Sequence, residues 1–414
     1  MSTSSPWAET DGLERPHAAA ITAPQGFRAA GVHAGIRKKR LDLALLVSGG
    51  ETSAAAVFTR NLAAAAPVLV SREHLRLSGG RARAVLVNAG NANACTGEPG
   101  LEAARRSVTA VAELLSLPVE QVLVASTGVI GQPLPLPRLL RALPHAVRAL
   151  ARSGGADAAT AILTTDLREK EWVQRVRGSN GNYTLGGMAK GSGMIHPDMA
   201  TTLAFVTTDA AVPAALLQDC LRRATDASFN RISVDGDTST NDTIAVLANG
   251  ASGVAVDPAL PASVAAFEAA LTEVLIELGK LVVRDGEGAT KLIEVCVSGA
   301  RDEGEALQVA RTIAGSPLVK TAMHGADANW GRVVAAACRA GVALDPERLR
   351  VAFGDVVVLR PGFVARFSEA AARRALSREE VTLHIDLGLG GATAKTWTCD
   401  LSAGYVEINA SYRT

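Results

Sequence analysis

The chain has 414 residues, 48% of them hydrophobic, and its 42 Lys and Arg almost balance its 41 Asp and Glu, for a net charge of +1. That length supports a large core or two domains, and the charge balance gives no electrostatic case for a nucleic acid or an anionic membrane as partner. No stretch reaches the roughly 20 apolar residues of a membrane span, and the five scattered cysteines (Cys95, Cys220, Cys296, Cys338, Cys399) form no CxxC pair, which speaks against a disulfide scaffold or zinc site and suits a reducing cytoplasm.

Residues 1–16 are polar and Pro-containing and lack the basic-then-apolar order of a signal peptide, so a loose tail is expected. A Gly- and Ala-rich stretch (23–36) leads to strands predicted over 41–47 and 54–59, with a β pattern continuing at 66–70. The basic run Arg37-Lys38-Lys39-Arg40 reads as a solvated turn. A strand over 83–87 breaks into the Asn- and Gly-rich loop 88–97, a composition that tolerates left-handed backbone. Residues 101–117 have helical spacing. The strand 121–126 runs into Thr127-Gly128, where a hydroxyl and backbone N–H groups could face a developing oxyanion; alone, that signal is weak. Helical spacing returns over 139–153, where Pro144 should kink the helix or delay its start. The trio Thr164-Thr165-Asp166 suits either a substrate contact or a turn cap.

The centre of the chain is KGSGMIHPDMATTLAFVTTDA (190–210). Gly186 to Gly193 read as turn-prone and 203–208 as a buried strand, with Ala200, Thr201 and Thr202 at the junction. A Thr hydroxyl there can attack its own preceding carbonyl and form an ester that water then cuts. The new terminal α-amine, with a reference pKa of roughly 7.7 to 8.0, can serve as base for the hydroxyl beside it. From Ala-Thr at a strand start alone, a polar loop entering a core strand is the better reading.

Beyond it come a helix (214–227) and a loop, 231–242, dense in Asp, Ser and Thr. Asp235, Asp237 and Asp242 do not fit EF-hand spacing, so a hydrogen-bonded loop is expected and no metal. A strand (243–248), a long helix (261–278) and a short strand (281–283) follow. The turn Arg284-Asp285-Gly286-Glu287 offers carboxylates that could hold an ammonium group, against a plain charged hairpin. Residues 316–332 read as a polar loop opening a helix at 331–340, with His324 structural. The tail alternates strand signals at 351–359, 381–387, 395–401 and 405–408. There is no Walker A motif, and Gly388-Leu389-Gly390-Gly391 lacks dinucleotide-binding spacing. Periodicity by itself supports a mixed α/β protein.

Taken in order, the motifs NAGNANACTG (88–97), STGVIG (126–131), TTD (164–166), KGSGMIHPDMATTLAF (190–205), DGDTSTNDT (235–243), RDGEGATKLIEV (284–295), SPLVKTAMHGADANWGR (316–332) and YVEINASYRT (405–414) resemble the ornithine acetyltransferase family of arginine biosynthesis, from Gly26 to the last residue. The resemblance implies an α/β fold of layered mixed sheets flanked by helices. It also implies self-cleavage between Ala200 and Thr201, giving an α chain (21–200, after a tail over 1–20) and a β chain (201–414) that assemble as an α2β2 heterotetramer. Thr201 would be the nucleophile, Thr127 and Gly128 the oxyanion hole and Lys190 an aid to proton transfer. Thr164, Lys190, Thr201, Glu287, Asn409 and Thr414 map onto substrate-binding positions. The implied reaction is ping-pong: acetyl passes from N2-acetyl-L-ornithine to Thr201 and then to L-glutamate. No cofactor is needed, although some members of the family also take acetyl from acetyl-coenzyme A. Departures occur at Leu167 to Lys170, where the family usually has Thr and then Pro-Lys, at Thr202, and at Phe58 to Asn61. They keep open a paralogue with a related acyl donor or acceptor. An amidase or aminopeptidase with the same nucleophile, and a non-enzymatic binding protein, are the other readings.

Overall fold

The structure, a computed structural model, describes residues 19–178, 181–196 and 202–411. Its strands, in chain order, are β1 (Phe27–Val32), β2 (Leu43–Ser48), β3 (Ser53–Phe58), β4 (Ala84–Asn91), β5 (Val122–Val129), β6 (Lys170–Gly178), β7 (Gly181–Lys190), β8 (Leu203–Thr208), β9 (Ile232–Ser233), β10 (Thr243–Ala248), β11 (Leu292–Ala300), β12 (Arg350–Phe353), β13 (Val356–Leu359), β14 (Glu380–Asp386) and β15 (Ala392–Cys399). They form a four-stranded sheet (β1-β2-β4-β5), a five-stranded sheet (β3-β10-β8-β7-β6) and a six-stranded sheet (β13-β12-β14-β11-β15-β9). All three mix parallel and antiparallel pairs: β4 runs parallel to β5, β8 to β10 and β11 to β14, whereas β7 is antiparallel to β8.

The first two sheets face each other. Phe27, Leu46, Val85, Val87 and Leu123 of one pack with Met188, Leu203, Phe205 and Leu247 of the other. Helices Ala66–Leu77, Gly97–Leu115 and Leu136–Arg148 cover the outer face of the first sheet, and Ala214–Ala227 and Pro261–Arg284 that of the second. Strands buried on both sides need no polar alternation, and β2 and β8 are buried at every position. The third sheet packs on Glu303–Ala314, Pro317–His324, Trp330–Cys338 and Glu369–Leu376 around a core of its own. Layered mixed sheets flanked by helices are thus the architecture.

Several elements differ from the sequence expectation. Residues 66–70 begin a helix: buried Pro67, Val70, Ser71 and His74 lie at helical spacing, and Ser71 and His74 are polar because they bond the carbonyls of Val124 (2.6 Å) and Val122 (2.7 Å) on β5. Helix Leu136–Arg148 passes through Pro144 with Leu136, Leu139, Leu143 and Ala146 buried. Residues 281–283 are the last turn of Pro261–Arg284, and 405–408 lie in the helix Ala403–Ser411, both too short for periodicity to separate helix from strand. The loop expected over 316–332 contains two helices, Pro317–His324 and the start of Trp330–Cys338. Gly186 and Gly187 sit inside β7, where no turn is needed but no side chain fits. A Cβ on Gly186 would lie 1.8 Å from the Ala20 carbonyl oxygen, and one on Gly187 would lie 2.8 Å from Leu278.

That contact at Gly186 also places Ala20, assigned to the tail from the sequence, in the body of the fold, where it is fully buried. The Ala20 N–H donates to Glu171 on β6 (2.9 Å). Burial pushes the Glu171 carboxyl up to about 7 from 4.5, against the backbone N–H bonds of Ala20 and Ala19 that pull it down. A raised acid pKa stabilises the fold fully below about 4.5 and is lost as the pH rises through about 7. Glu171→Gln keeps an acceptor for Ala20 and removes the charge. Its unfolding free energy from urea titration should therefore exceed the parent's at pH 8 by about 1–2 kcal/mol, after allowance for the water that reaches the group, and match it near pH 4.5.

Candidate active site

The C-terminal ends of β4, β5 and β7 and the N-terminal ends of β8 and β10 meet at one edge of the two-sheet sandwich. A cavity of about 210 Å3 opens there, lined among others by Thr127, Gly128, Thr164, Lys190, Glu287 and Asn409. Six positions singled out in the sequence thus share one cleft, although they lie as far apart in the chain as Thr127 and Asn409. Ala200, Thr201 and Thr414 lie outside the described residues.

Lys190, buried at the end of β7, donates from Nζ to Thr127 Oγ1 (3.0 Å). With its lone pair engaged, the Thr127 hydroxyl has its hydrogen left to offer elsewhere, and the neighbouring ammonium polarises it. Gly128 is the next residue along β5 and has φ +130°. A Cβ there would lie 2.4 Å from the carbonyl carbon of Gly90 and 2.5 Å from the Asn91 nitrogen, so only glycine lets β5 pass the bulge of β4. The Asn-rich loop holds that bulge in place. Ser126 donates to Asn88 Oδ1 (2.6 Å), Asn88 Nδ2 to the Asn91 carbonyl (2.9 Å), and Asn241 Nδ2 to the carbonyls of Ala92 (2.7 Å) and Ser126 (2.8 Å). These asparagines are scaffold for Thr127 and Gly128.

Burial lowers the Lys190 pKa, while the negative charges of Asp166, Asp242 and Glu287 oppose the shift. A lysine so placed can take up and return a proton more readily than an exposed one. Across the cavity Glu287 is 7% exposed and accepts from Asn409 Nδ2 (2.8 Å). Its carboxylate closes over Gly193, where a Cβ would lie 2.5 Å from Glu287 Oε2. Asn409 arrives on the helix Ala403–Ser411, which Tyr405 ties to Asp235 through its hydroxyl (3.3 Å). Asp235 in turn accepts the N–H groups of Met194 (2.6 Å) and Ile195 (2.8 Å), so the acidic loop secures the turn after Lys190. His324 donates to or accepts from no group of the cleft named above; its Nδ1 pairs with Asp400 (2.7 Å).

One arrangement went unread in the sequence. Lys170, 1% exposed, sets its Nζ between Asp166 (2.6 Å) and Asp285 (2.6 Å). Of the two carboxylates at the 284–287 turn, Asp285 therefore already holds an ammonium from its own chain, whereas Glu287 faces the cavity. Burial would raise the Asp166 pKa, but the charges of Lys170 and Lys190 and its hydrogen bonds outweigh that and hold it below the usual carboxylate range. Asp166 also accepts the N–H groups of Thr164 (2.9 Å) and Gly191 (2.7 Å), thereby fixing the backbone on both sides of the cleft. Leu167 is exposed and its N–H donates to Asp285 (2.9 Å). The departure at that position thus falls beside the cleft, with its backbone doing the bonding. The available signal was the Asp166–Lys170 spacing of four.

Residues 28–414 match the ArgJ family. The chain belongs to the ArgJ family. It is 51% identical, over 96% of its length and 99% of theirs, to the arginine biosynthesis bifunctional protein ArgJ of Symbiobacterium thermophilum, and 47% identical, over 96% and 98%, to that of Chlorobaculum tepidum. Among solved structures it is similar to the ornithine acetyltransferase of Mycobacterium tuberculosis in complex with ornithine, 42% identical over 46% of this chain and 98% of that one, with a TM-score of 0.41. As an ArgJ protein, the chain keeps its cleft residues within the matched span.

Proposed function

We propose that this ArgJ protein is a self-cleaving acetyltransferase that moves acetyl from N2-acetyl-L-ornithine to L-glutamate in arginine biosynthesis, with Thr201 as nucleophile. The observation that carries the reading is the single cleft in which the Lys190–Thr127 pair and Gly128 face Glu287 and Asn409. Thr201 Oγ first attacks the Ala200 carbonyl and water cuts the resulting ester, freeing the Thr201 α-amine. That amine then takes the Thr201 hydroxyl proton as Oγ attacks the acetyl carbonyl of acetylornithine. The Thr127 hydroxyl and the Gly128 N–H receive the oxyanion, and L-ornithine leaves with a proton. L-Glutamate reverses the sequence and departs as N-acetyl-L-glutamate. Both partners are α-amino acids, so one pocket serves both half-reactions and no cofactor is needed. Glu287 pairs with the ornithine side-chain ammonium, and Thr164, Lys190, Asn409 and Thr414 are the further substrate-binding positions. Acetyl-coenzyme A as a second acetyl donor, an α2β2 assembly and a cytoplasmic location complete the proposal. No helix among the described residues is long and apolar enough to cross a membrane.

The test is acetyl transfer from acetylornithine to glutamate, followed as ornithine release with and without the acceptor. Glutamate-dependent turnover supports the reading. Steady hydrolysis indifferent to glutamate would make the protein an amidase instead. Glu287→Gln should lower kcat/KM for acetylornithine about ten- to a hundredfold, the value of one charge-assisted bond.

A further inference from the structure

Asp400 follows the last residue of β15 and is 2% exposed. It does not line the cleft. Its carboxylate nevertheless gathers donors from elements on which the cleft depends. Oδ1 accepts the N–H groups of Thr290 (2.7 Å) and Lys291 (2.8 Å), and Oδ2 faces the Thr290 hydroxyl (2.6 Å) and His324 Nδ1 (2.7 Å). Burial would raise its pKa, but the Thr290 hydroxyl and N–H, His324 and the Lys291 N–H together hold it below the usual carboxylate range. The group is therefore ionised and only accepts. Thr290, 110 positions earlier, ends the turn that carries Glu287. Just beyond Asp400, Ser402 Oγ donates to the Gly288 carbonyl (2.6 Å), and the helix Ala403–Ser411 begins, which delivers Asn409 to Glu287. Gly288 has φ +71°, and a Cβ there would lie 2.4 Å from the Tyr405 nitrogen, so turn and helix meet backbone to backbone. On its other side the end of β15 is fixed to the helices of the third sheet. Lys320 Nζ donates to Thr398 Oγ1 (2.8 Å) and to the Cys399 carbonyl. Lys291 Nζ donates to the carbonyls of Met323 (2.6 Å) and Leu376 (2.7 Å), where two helices end.

We propose that Asp400 is the positioning residue for the side-chain end of the substrate site: it clamps the Glu287 turn to the start of the Asn409 helix and so fixes where the Glu287 carboxylate stands. The inference rests on Glu287 as partner of the ornithine ammonium and extends it. Among the described residues, the Glu287 side chain is held by Asn409 (2.8 Å) and its N–H by the Ser192 carbonyl (2.9 Å). Its place is therefore set by the backbone of its own turn and by the helix that brings Asn409, and both are tied through residues 400–402. An ion pair depends on that placement, because a charge-assisted hydrogen bond needs its donor and acceptor within about 3 Å. A shift of the turn by about 1 Å weakens the hold on an ammonium. The Lys190–Thr127 pair and Gly128 keep their places meanwhile, since they stand on β7 and β5. Asp400 thus acts through Glu287 and not on the substrate itself.

The experiment compares acetyl transfer to glutamate from two donors, N2-acetyl-L-ornithine and N2-acetyl-L-norvaline, which has the same carbon skeleton and no side-chain ammonium. The ratio of their kcat/KM values measures what the ammonium contact contributes, and Glu287→Gln should collapse it. Asp400→Asn keeps the size of the side chain and puts a donor amide where one of the two accepting oxygens stood. The expected result is a folded variant whose ratio falls about tenfold, mainly through a higher KM for acetylornithine, with kcat/KM for acetylnorvaline within about threefold of the parent's. Thr290→Val removes one hydroxyl donor and leaves the carboxylate. It should lower the ratio about threefold, and Thr290→Ser should restore it. A merely structural role would lower the melting temperature, or slow both donors alike, with the ratio unchanged, and that result overturns the proposal. Should Asp400→Asn not fold, the Thr290 pair decides: an unchanged ratio in Thr290→Val overturns the proposal, and a lowered ratio that serine restores supports it. If Glu287→Gln leaves the ratio as in the parent, the substrate assignment of Glu287 falls first and this inference with it.

Discussion

Thr201→Ala yields one uncut chain of 42.7 kDa, where the parent yields two chains whose second begins at Thr201. The side chain supplies the only atom proposed to attack the Ala200 carbonyl, and the cut is what creates the amine that later serves as base. One substitution thus removes both nucleophile and base, and transfer from acetylornithine to glutamate should fall by on the order of 10^5 or more, to background. Denaturing mass spectrometry of the two purified proteins checks the first half and an ornithine-release assay the second. A parent that transfers acetyl at full rate while remaining a single chain would remove the self-cleavage from the mechanism. The rest of the cleft would then need another nucleophile.

Lys170→Met destabilises the protein by about 3–5 kcal/mol, read from urea-induced unfolding at pH 7. Methionine fills a similar volume but leaves Asp166 and Asp285 without the ammonium that lies 2.6 Å from each. Among the described residues no other cation pairs with Asp285, and Asp166 is buried from water. The substitution should also cost activity, since Asp166 fixes the N–H groups of Thr164 and Gly191 at the cleft. The pH sign follows from the depressed Asp166 pKa: its contribution is present above the ordinary Asp value of about 3.9 and is lost as the pH falls and the carboxylate protonates. The gap between parent and variant should therefore narrow in acid. A loss of less than about 1 kcal/mol at pH 7 would mean that the ion triad has relaxed to let solvent in.

The cleft was legible in part because its residues sit in long, ordered motifs. Thr127, Gly128, Thr164, Lys190, Glu287 and Asn409 could each be named from the string around them, and the structure brings all six to one cavity. Legibility failed where a residue acts through a distant partner. Asp285 looked like an ammonium ligand for a substrate, and it is an ammonium ligand, but for Lys170 of its own chain, 115 positions away. Asp242 was read only as part of a hydrogen-bonded loop, and the partner its carboxylate takes, the Thr202 N–H, lies 40 positions away.

Among the elements the same division holds. The helix 214–227 was read from its own period, because a helix with one partner layer carries its burial pattern locally, and 243–248, buried at every position, was read as a short apolar run. Residues 66–70, 281–283 and 405–408 were misassigned because three to five residues do not distinguish the two periods, and because Ser71 and His74 are buried for hydrogen bonds to β5 that no local pattern encodes. Gly186 and Gly187 read as turn residues, yet they stand in a strand because Ala20 and Leu278 approach too closely for any side chain. By itself, then, the sequence determined the mixed α/β class, the order of the motifs and the six candidate residues that share the cleft, since each depends on residues adjacent along the chain. Which carboxylate faces the cavity and which is neutralised by a buried lysine was decided by the tertiary structure alone, because burial and charge pairing depend on distances through space.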